Sequence, residues 1–418
     1  MDPAHLLTLG FLVALGACVL LQWWLLRRQQ RHVAAHRDRV PGFFADRIPL
    51  EDHQKAADYT LAKIRIGRWD ILLDAIVLLG WTLGGGLSWL FQWWQPWDLA
   101  PTVTGVLFIL SVFLINGLIA LPFSAWQTFG VEARFGFNRT TVGRFIGDHL
   151  LQTLLAIALG GPLLWVLLWL MAYAGTLWWL WAWAVWMGFS LFISWAYPVV
   201  IAPLFNKFTP LADKTLRARI QRLLERNGFR SKGVFVMDGS RRSGHGNAYF
   251  TGLGRNKRIV FYDTLLEGLT PEEVEAVLAH ELGHYKRHHV HKLLGVTALL
   301  SLLGLALLGW LAQQPWFYFG LGVSEMNNAA ALVLFIMVTP VFTRFFEPVM
   351  TWMSRRHEFE ADDFAASQVN AESLIHALVK LYKDNASTLT PDPVYADFYY
   401  SHPPAAVRIA HLSAKMKA

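Results

Sequence analysis

Long apolar stretches alternate with polar, charged segments along the whole chain. Seven of the stretches contain about 20 residues, the length that an α-helix needs to cross the hydrocarbon core of a bilayer. The pattern predicts membrane spans at residues 5–26, 71–94, 102–123, 150–172, 176–203, 293–313 and 328–350. We therefore expect a polytopic α-helical membrane protein with seven transmembrane helices.

Lysine and arginine occur only in alternate polar segments and, as Arg344, near the inner end of the seventh span. All 37 lie on one side of the predicted membrane, with 10 in residues 27–69, 3 in 124–149, 16 in 205–292 and 8 in 344–418. The positive-inside rule assigns that side to the cytoplasm and the N-terminus to the outside. The net charge of +7 thus reports orientation, and we expect membrane lipids, not nucleic acid, beside the basic loops.

The composition agrees with this topology. The chain has 418 residues, of which 54% are hydrophobic and 14% aromatic, and its mean hydropathy is +0.34. Few soluble proteins have such a composition, whereas an integral membrane protein does. The single cysteine, Cys18, excludes an internal disulfide.

The spans divide the chain into four segments. Residues 1–204 hold spans one to five with cytoplasmic loops at 27–69 and 124–149, and residues 293–350 hold spans six and seven. Residues 205–292 and 351–418 are cytoplasmic. The first of these soluble segments contains an amphipathic helix, LADKTLRARIQRLLERNGF, and three predicted short strands, GVFVMDGS, NAYFTGLG and KRIVFYDTLL.

The candidate chemistry lies in the sequence His280-Glu281-Leu282-Gly283-His284. Two histidines four residues apart face the same side of a helix, so both imidazoles reach one tetrahedral zinc ion. Glu281 then lies beside the metal, where it can take a proton from a water molecule. The alternative is a chance H-E-x-x-H on an ordinary core helix.

Helix signals surround this motif. Thr270 is a favourable N-cap, Pro271 suits the first helical position, and Glu273 completes a capping box. The motif is therefore predicted to lie within a helix that begins at residue 271.

A catalytic zinc ion usually has three protein ligands, so a third must come from elsewhere. The best candidate is Glu358 in SRRHEFEADDFAAS, and Asp362 lies on the same helix face. We expect Asp362 to accept a hydrogen bond from the outer nitrogen of a ligating histidine. Glu360 and Asp363 point elsewhere and are interpreted as solvated charges; an acidic patch is the alternative for the whole segment.

The other histidines fit less specific roles. His288, His289 and His291 are expected to continue the motif helix, with His288 on the face of His284, and are interpreted as polar residues at the membrane surface. His245, in a glycine-rich loop, is undecided.

His402 and Arg408 lie in and after YYSHPPAAVRI. A positioned imidazole and guanidinium can stabilise the oxyanion of a tetrahedral intermediate. A cap at a helix N-terminus is the alternative for His402.

Several stretches together carry a family pattern in the family's order: LEDHQKAADYTLAK, FGFNRTT, IAPLFNKFTPL, GSRRSGHGNAYFTGLGRNKRIVFYDTLL, SRRHEFEAD and SHPPAAVRI. With the H-E-x-x-H motif they are spread over most of residues 40–415. On these residues the chain resembles the type I CAAX prenyl endopeptidases, integral-membrane zinc metalloproteases of the gluzincin kind.

The resemblance implies seven helices around a water-filled chamber, with a small α+β gluzincin-like domain on the cytoplasmic side and one zinc ion per chain. It implies zinc ligands at His280, His284 and Glu358, and Glu281 as general base. It places an edge strand at NAYFTG, where Asn247, Ala248 and Tyr249 would bind the substrate backbone. It gives His402 and Arg408 a role near the transition state.

The resemblance also implies a peptide or lipidated-protein substrate, cut after a prenylated cysteine. A bias towards Ala, Leu, Arg and Trp suggests a bacterial inner membrane, where a quality-control protease without a lipid requirement is the alternative. A transporter or a chaperone that does not cleave would also explain seven spans, and Asp74 within a span would suit a transporter.

Overall fold

The computed structural model describes residues 2–229, 233–251 and 258–417. It is mostly helical, as the long apolar stretches predict. The first half contains seven helices in chain order: α1 (Pro3–Ala35), α2 (Leu50–Trp81), α3 (Gly86–Trp94), α4 (Pro101–Ala125), α5 (Val142–Tyr173), α6 (Trp178–Ala196) and α7 (Ala202–Phe205).

The second half combines four short strands with ten helices among the described residues. The part before the next apolar helix contains β1 (Phe208–Pro210), α8 (Lys214–Arg226), β2 (Val234–Met237), β3 (Ala248–Thr251), β4 (Arg258–Tyr262), α9 (Asp263–Gly268) and α10 (Pro271–Lys286). The remainder contains α11 (His289–Leu311), α12 (Pro315–Phe319), α13 (Asn328–Thr343), α14 (Glu347–Gln368), α15 (Ala371–Asp384), α16 (Pro393–Tyr399) and α17 (Ala405–Lys417).

Six helical runs in the described ranges are long and apolar enough to cross a membrane, and a bent pair, α2 with α3, makes a seventh. The pair bends by 54°, so the predicted span 71–94 is not one straight helix. Glycines explain the bend: Gly85 has φ of 76°, and a Cβ on Gly84 would lie 2.8 Å from the Gly80 carbonyl oxygen. Several helices also extend beyond the predicted span ends, because helical residues continue past the apolar stretch.

One apolar core lies among the spanning helices. Its fully buried members include Phe11 on α1, Phe108 on α4 and Tyr318 on α12. A cavity of about 440 Å³ lies beside it, lined by apolar side chains and by Cys18, Asp74, Asn116 and Arg344.

The strands form one sheet in the order β1-β2-β4-β3. β2 pairs parallel with β4, while β1 and β3 pair antiparallel with their neighbours. β3 is therefore an edge strand of the described sheet, as predicted. β1 was not predicted, and residues 252–257 of the predicted second and third strands lie outside the described residues.

A second apolar core joins the two soluble segments. Ile220 of α8, Phe261 of β4 and Leu278 of α10 pack in it with Leu378 of α15 and Leu412 of α17. This shared core holds α10 against α14. The crossing is close, because a Cβ on Gly283 would lie only 2.9 Å from the Cα of Ala361. Glycine at the fourth position of H-E-L-G-H therefore lets the two helices touch.

Candidate metal centre

The motif helix α10 begins as its sequence predicts. Pro271 is its first residue, and Thr270 and Glu273 form the capping box: Thr270 Oγ1 accepts from the Glu273 N–H at 3.4 Å, and Glu273 Oε2 accepts from the Thr270 N–H at 2.7 Å. These bonds satisfy amide groups at the helix start that otherwise lack partners.

The contact of α10 with α14 at Gly283 brings three side chains together. His280 Nε2 lies 3.2 Å from His284 Nε2 and 3.4 Å from Glu358 Oε2. His284 Nε2 lies 3.2 Å from the other oxygen of the same carboxylate, Glu358 Oε1, so the three side chains form a triangle whose corner at Glu358 is the carboxylate group. Glu358 and His280 are buried.

This triangle fits a zinc ion. Ligands at 2.0–2.1 Å in a tetrahedron lie about 3.4 Å from one another, which matches the three observed separations. Two imidazoles and a carboxylate are also a donor set that zinc prefers. Glu358 Oε2 is buried and makes no hydrogen bond within the described part of the chain. The residues present therefore fit the ion, with room left for a fourth ligand.

Two charged side chains outside the triangle, Asp362 and Arg408, hold His280 in place. Asp362 Oδ1 lies 2.8 Å from His280 Nδ1, as expected for an acceptor that leaves Nε2 free for the metal. Arg408 donates from Nη2 and Nε to the two oxygens of Asp362 at 2.5 and 2.9 Å. Its Nη1 lies 3.4 Å from Glu358 Oε2. Arg408 thus forms ion pairs with two buried carboxylates.

The electrostatics follow from this burial. Burial lowers the pKa of His280, but the adjacent carboxylates of Asp362 and Glu358 outweigh it and raise that pKa to about 9. Burial also opposes the charge on Arg408, yet the same two carboxylates hold its pKa above the usual range. Burial raises the pKa of the Glu281 carboxyl.

A cleft of about 300 Å³ opens beside the triangle. Glu281, His402 and Arg408 line it, together with Asn247 and Ala248. His402 Nε2 lies 3.4 Å from Glu358 Oε1. Helix α17 begins at Ala405, two prolines after His402, so the alternative of a helix cap at His402 does not fit.

The edge strand β3 forms one wall of the cleft. Asn247 Oδ1 accepts a hydrogen bond from the Ala248 N–H at 2.8 Å. Asn247 and Ala248 line the cleft. Tyr249 is not among its lining residues, and the Tyr249 hydroxyl lies 4.0 Å from Met237 Sδ of β2.

The comparisons with known proteins agree with this site. The family model described as "CAAX prenyl protease N-terminal, five membrane helices" matches residues 29–207. The model described as "Peptidase family M48" matches residues 210–416. The chain belongs to peptidase family M48.

Relatives of this M48 chain come from several eukaryotes. It is 31% identical to CAAX prenyl protease 1 of Saccharomyces cerevisiae, over 98% of this chain and 95% of the relative. It is 36% identical to a CAAX prenyl protease 1 homolog of Arabidopsis thaliana, over 74% of this chain and 73% of the relative. The crystal structure of S. mikatae Ste24p matches with a TM-score of 0.90 at 29% identity, covering 99% of each chain.

The M48 chain is therefore a multi-pass integral membrane metalloprotease, and the resemblance to CAAX prenyl proteases is confirmed. A transporter or a chaperone that does not cleave is not supported. The roles of the individual site residues are not tested by these likenesses and stay predictions.

The sequence analysis did not predict that His289 and Glu360 lie next to the site, and it placed His288 there instead. α10 ends at Lys286 and does not continue through His288, so the prediction that His288 lies over His284 is wrong. His289 is buried, with Nδ1 3.0 Å from His284 Nδ1. Its Nε2 lies 3.1 Å from Glu360 Oε2, so Glu360 is not a solvated charge. Periodicity does not predict this contact, because it assumes one unbroken helix through His289 and carries no information on packing between distant segments.

The remaining histidines and acids also have partners. His245 stacks on Phe137 at 4.2 Å, and its Nε2 lies 3.4 Å from Glu132 Oε2. Asp363 accepts from His411 Nε2 at 2.7 Å. The missed Asn385 binds both backbone groups of Gly246, at 3.0 and 3.2 Å, and so fixes the segment that leads into β3.

Proposed function

We propose that this chain is a zinc endopeptidase that hydrolyses peptide bonds in prenylated or membrane-associated proteins. The observation that carries the proposal is the triangle of His280, His284 and Glu358, whose three edges of 3.2 to 3.4 Å suit one tetrahedral ion. Such an ion supplies Lewis acidity, which polarises a carbonyl group and lowers the pKa of water to about 7.

Glu281 is proposed as the general base. It follows the first ligand on α10 and lines the cleft. It would take a proton from the attacking water and pass that proton to the leaving amine. Its raised pKa helps the first step, because a more basic carboxylate accepts the proton of the water more readily.

His402 and Arg408 take different roles in this proposal. The exposed His402 faces the cleft beside Glu358, and we assign it to donate a hydrogen bond to the developing oxyanion. The guanidinium of Arg408 is occupied by Asp362 and Glu358. We therefore assign Arg408 to holding these two carboxylates in place.

The substrate is proposed to lie along β3 as an additional strand. The edge of β3 that is unpaired among the described residues borders the cleft, so an extended peptide there would pass the metal site. In the structure the Ala248 N–H is covered by Asn247 Oδ1. A substrate carbonyl would replace this oxygen, and the amide of Asn247 would then be free to bind the substrate backbone as well.

The prenylated-protein assignment rests on the relatives, which are named CAAX prenyl proteases. Prenylated and unprenylated peptides of one sequence separate it from a quality-control protease. We expect the prenylated peptide to have the higher kcat/KM; equal values would favour a protease without a lipid requirement.

We further propose a bacterial inner membrane as the location, with the N-terminus outside and the metal site near the cytoplasmic face. The distribution of Lys and Arg supports the orientation. In this arrangement the spans enclose a water-filled chamber, of which the cavity near Asp74 and Arg344 would be part.

Substitution of Glu281 by Gln tests the chemistry. The amide cannot accept the proton of the attacking water, so kcat should fall by several orders of magnitude while the three ligands still bind zinc. Peptide cleavage and zinc content of the purified protein are the readouts. Cleavage by Glu281→Gln at the wild-type rate would refute the proposed mechanism.

A further inference from the structure

A reversal of the backbone follows the motif helix. His288 has φ of 57°, in the left-handed region that non-glycine residues rarely adopt. α11 therefore begins at His289 in a new direction, and the His289 side chain, only 5% exposed, returns towards α10. This turn gives His289 the place beside His284 that an unbroken helix would have given to residue 288.

His289 joins a chain of hydrogen-bonding groups that starts at the metal site. His284 Nε2 faces Glu358 and His280 at 3.2 Å each, so Nδ1 is its outer atom. That Nδ1 lies 3.0 Å from His289 Nδ1, and His289 Nε2 lies 3.1 Å from Glu360 Oε2.

Only one arrangement of protons satisfies both contacts when His284 binds a metal. The ligating Nε2 has no proton, so the proton of His284 is on Nδ1 and is donated to His289 Nδ1. His289 must then accept at Nδ1 and donate from Nε2 to the Glu360 carboxylate. We propose that His289 and Glu360 are positioning residues, which fix the ring orientation and tautomer of the ligand His284. This inference rests on the zinc site proposed above.

The structure holds both residues firmly enough for this role. The ring of His357 stacks on that of His289, with centroids 4.0 Å apart and an interplanar angle of 13°. Glu360 is also 3.5 Å from Lys292 Nζ and 3.8 Å from Arg356 Nε. The two ligands are thus supported differently: His280 contacts the carboxylate of Asp362 directly, whereas His284 reaches Glu360 through a second imidazole.

Zinc affinity of the full-length, detergent-purified protein tests the inference. In His289→Leu, Nδ1 of His284 loses its acceptor, and we expect the zinc Kd to rise about 10- to 100-fold. His289→Asn places an amide oxygen near the former Nδ1, so its loss should be smaller. His288→Asn is the matched control: this side chain is exposed, asparagine tolerates a left-handed φ, and the Kd should stay at the wild-type value.

Two further measurements separate positioning from general destabilisation. Glu360→Ala should weaken zinc binding in the wild type but add nothing in the His289→Leu background, because both changes break one chain of contacts. The visible spectrum of the Co²⁺-substituted protein should change in His289→Leu and stay unchanged in His288→Asn. If Glu360→Ala and His289→Leu weakened binding additively, or if His289→Leu kept the wild-type Kd and spectrum, the inference would be overturned.

His284→Ala distinguishes failure of this inference from failure of the proposed function. Loss of zinc in His284→Ala together with wild-type binding in His289→Leu would reject only the positioning role. Wild-type zinc binding in His284→Ala would reject the metal site itself.

Discussion

The chemistry of this protein depends on a few buried groups whose charges are matched. Glu358, in the metal triangle, and Asp362, behind His280, carry two negative charges, and Arg408 contacts both. Buried charges of this kind are tolerated only when they are paired and hydrogen-bonded. We therefore propose that Arg408 acts on the site through the two carboxylates.

Replacing Arg408 by Gln should destabilise the folded protein by about 3–5 kcal/mol, because it leaves two buried carboxylates without their cation. Arg219 offers a control, since it is partly exposed and pairs with Glu272 and Glu275 of α10 at 2.9 and 3.3 Å. Arg219→Gln should cost less than about 1 kcal/mol. Thermal unfolding of both variants in detergent measures the difference, and equal losses of stability would contradict this role for Arg408.

Metal binding should also release a proton from His280. The carboxylates of Asp362 and Glu358 raise the pKa of this imidazole to about 9 in the metal-free protein, whereas a ligating nitrogen must be unprotonated. Below about pH 9 the proton must leave before the metal binds, so zinc affinity should rise about tenfold per pH unit from pH 7 towards 9. Calorimetric titrations in buffers of different ionisation enthalpy count the proton. A pH-independent Kd without proton release would contradict the assignment.

At the scale of secondary structure, the sequence predicts an element correctly when residues within that element determine where it begins. Thr270, Pro271 and Glu273 specify the start of α10 through groups only three residues apart. The missed features depend on contacts between distant segments. β1 is three residues long and ends in Pro210, so it shows no alternation, and it forms by pairing with β2.

The turn at His288 is another feature that sequence periodicity does not contain. No glycine or proline marks it, and the left-handed φ is adopted by a histidine. By contrast, the bend between α2 and α3 has a visible signal in Gly84, Gly85 and Gly86, which the hydropathy pattern alone does not use. Turn signals in the sequence improve such predictions only where a residue that readily adopts a positive φ, such as glycine, is present.

The edge strand provides a test at this scale. Ala248→Pro removes the N–H that the proposal assigns to the substrate, while proline is tolerated on edge strands. We expect kcat/KM to fall about tenfold, as for the loss of one hydrogen bond, with zinc content unchanged. Ala248→Gly keeps the N–H and should stay near wild type. A wild-type kcat/KM for Ala248→Pro would argue against strand addition at this residue.

For the whole molecule, hydropathy and charge predicted more than any single motif. They indicated a multi-pass protein, and the apolar helical runs agree. The predicted division into four segments did not anticipate that 205–292 and 351–418 share one apolar core. The shared core forms only when these two segments, which are far apart in sequence, pack together in the folded protein. Glu358 was nevertheless assigned, because two histidines without a third ligand required a partner elsewhere.

The orientation can be tested with two matched cysteine variants in a Cys18→Ser background. Met326 is 46% exposed in the connection after α12, and Met416 is 51% exposed near the end of α17. A membrane-impermeant maleimide should label Met326→Cys in intact spheroplasts, and Met416→Cys only after lysis, since the basic segments lie inside. Labelling in the opposite order would invert the proposed topology.

The central claim is that one zinc ion is held jointly by α10 and α14, and elemental analysis of the purified protein tests it most directly. We expect about one zinc ion per chain in the wild type and less than about a tenth of that in Glu358→Gln, because the two histidines of α10 alone leave the ligand set incomplete. A Glu358→Gln protein that still carried one tightly bound zinc ion per chain would contradict the claim.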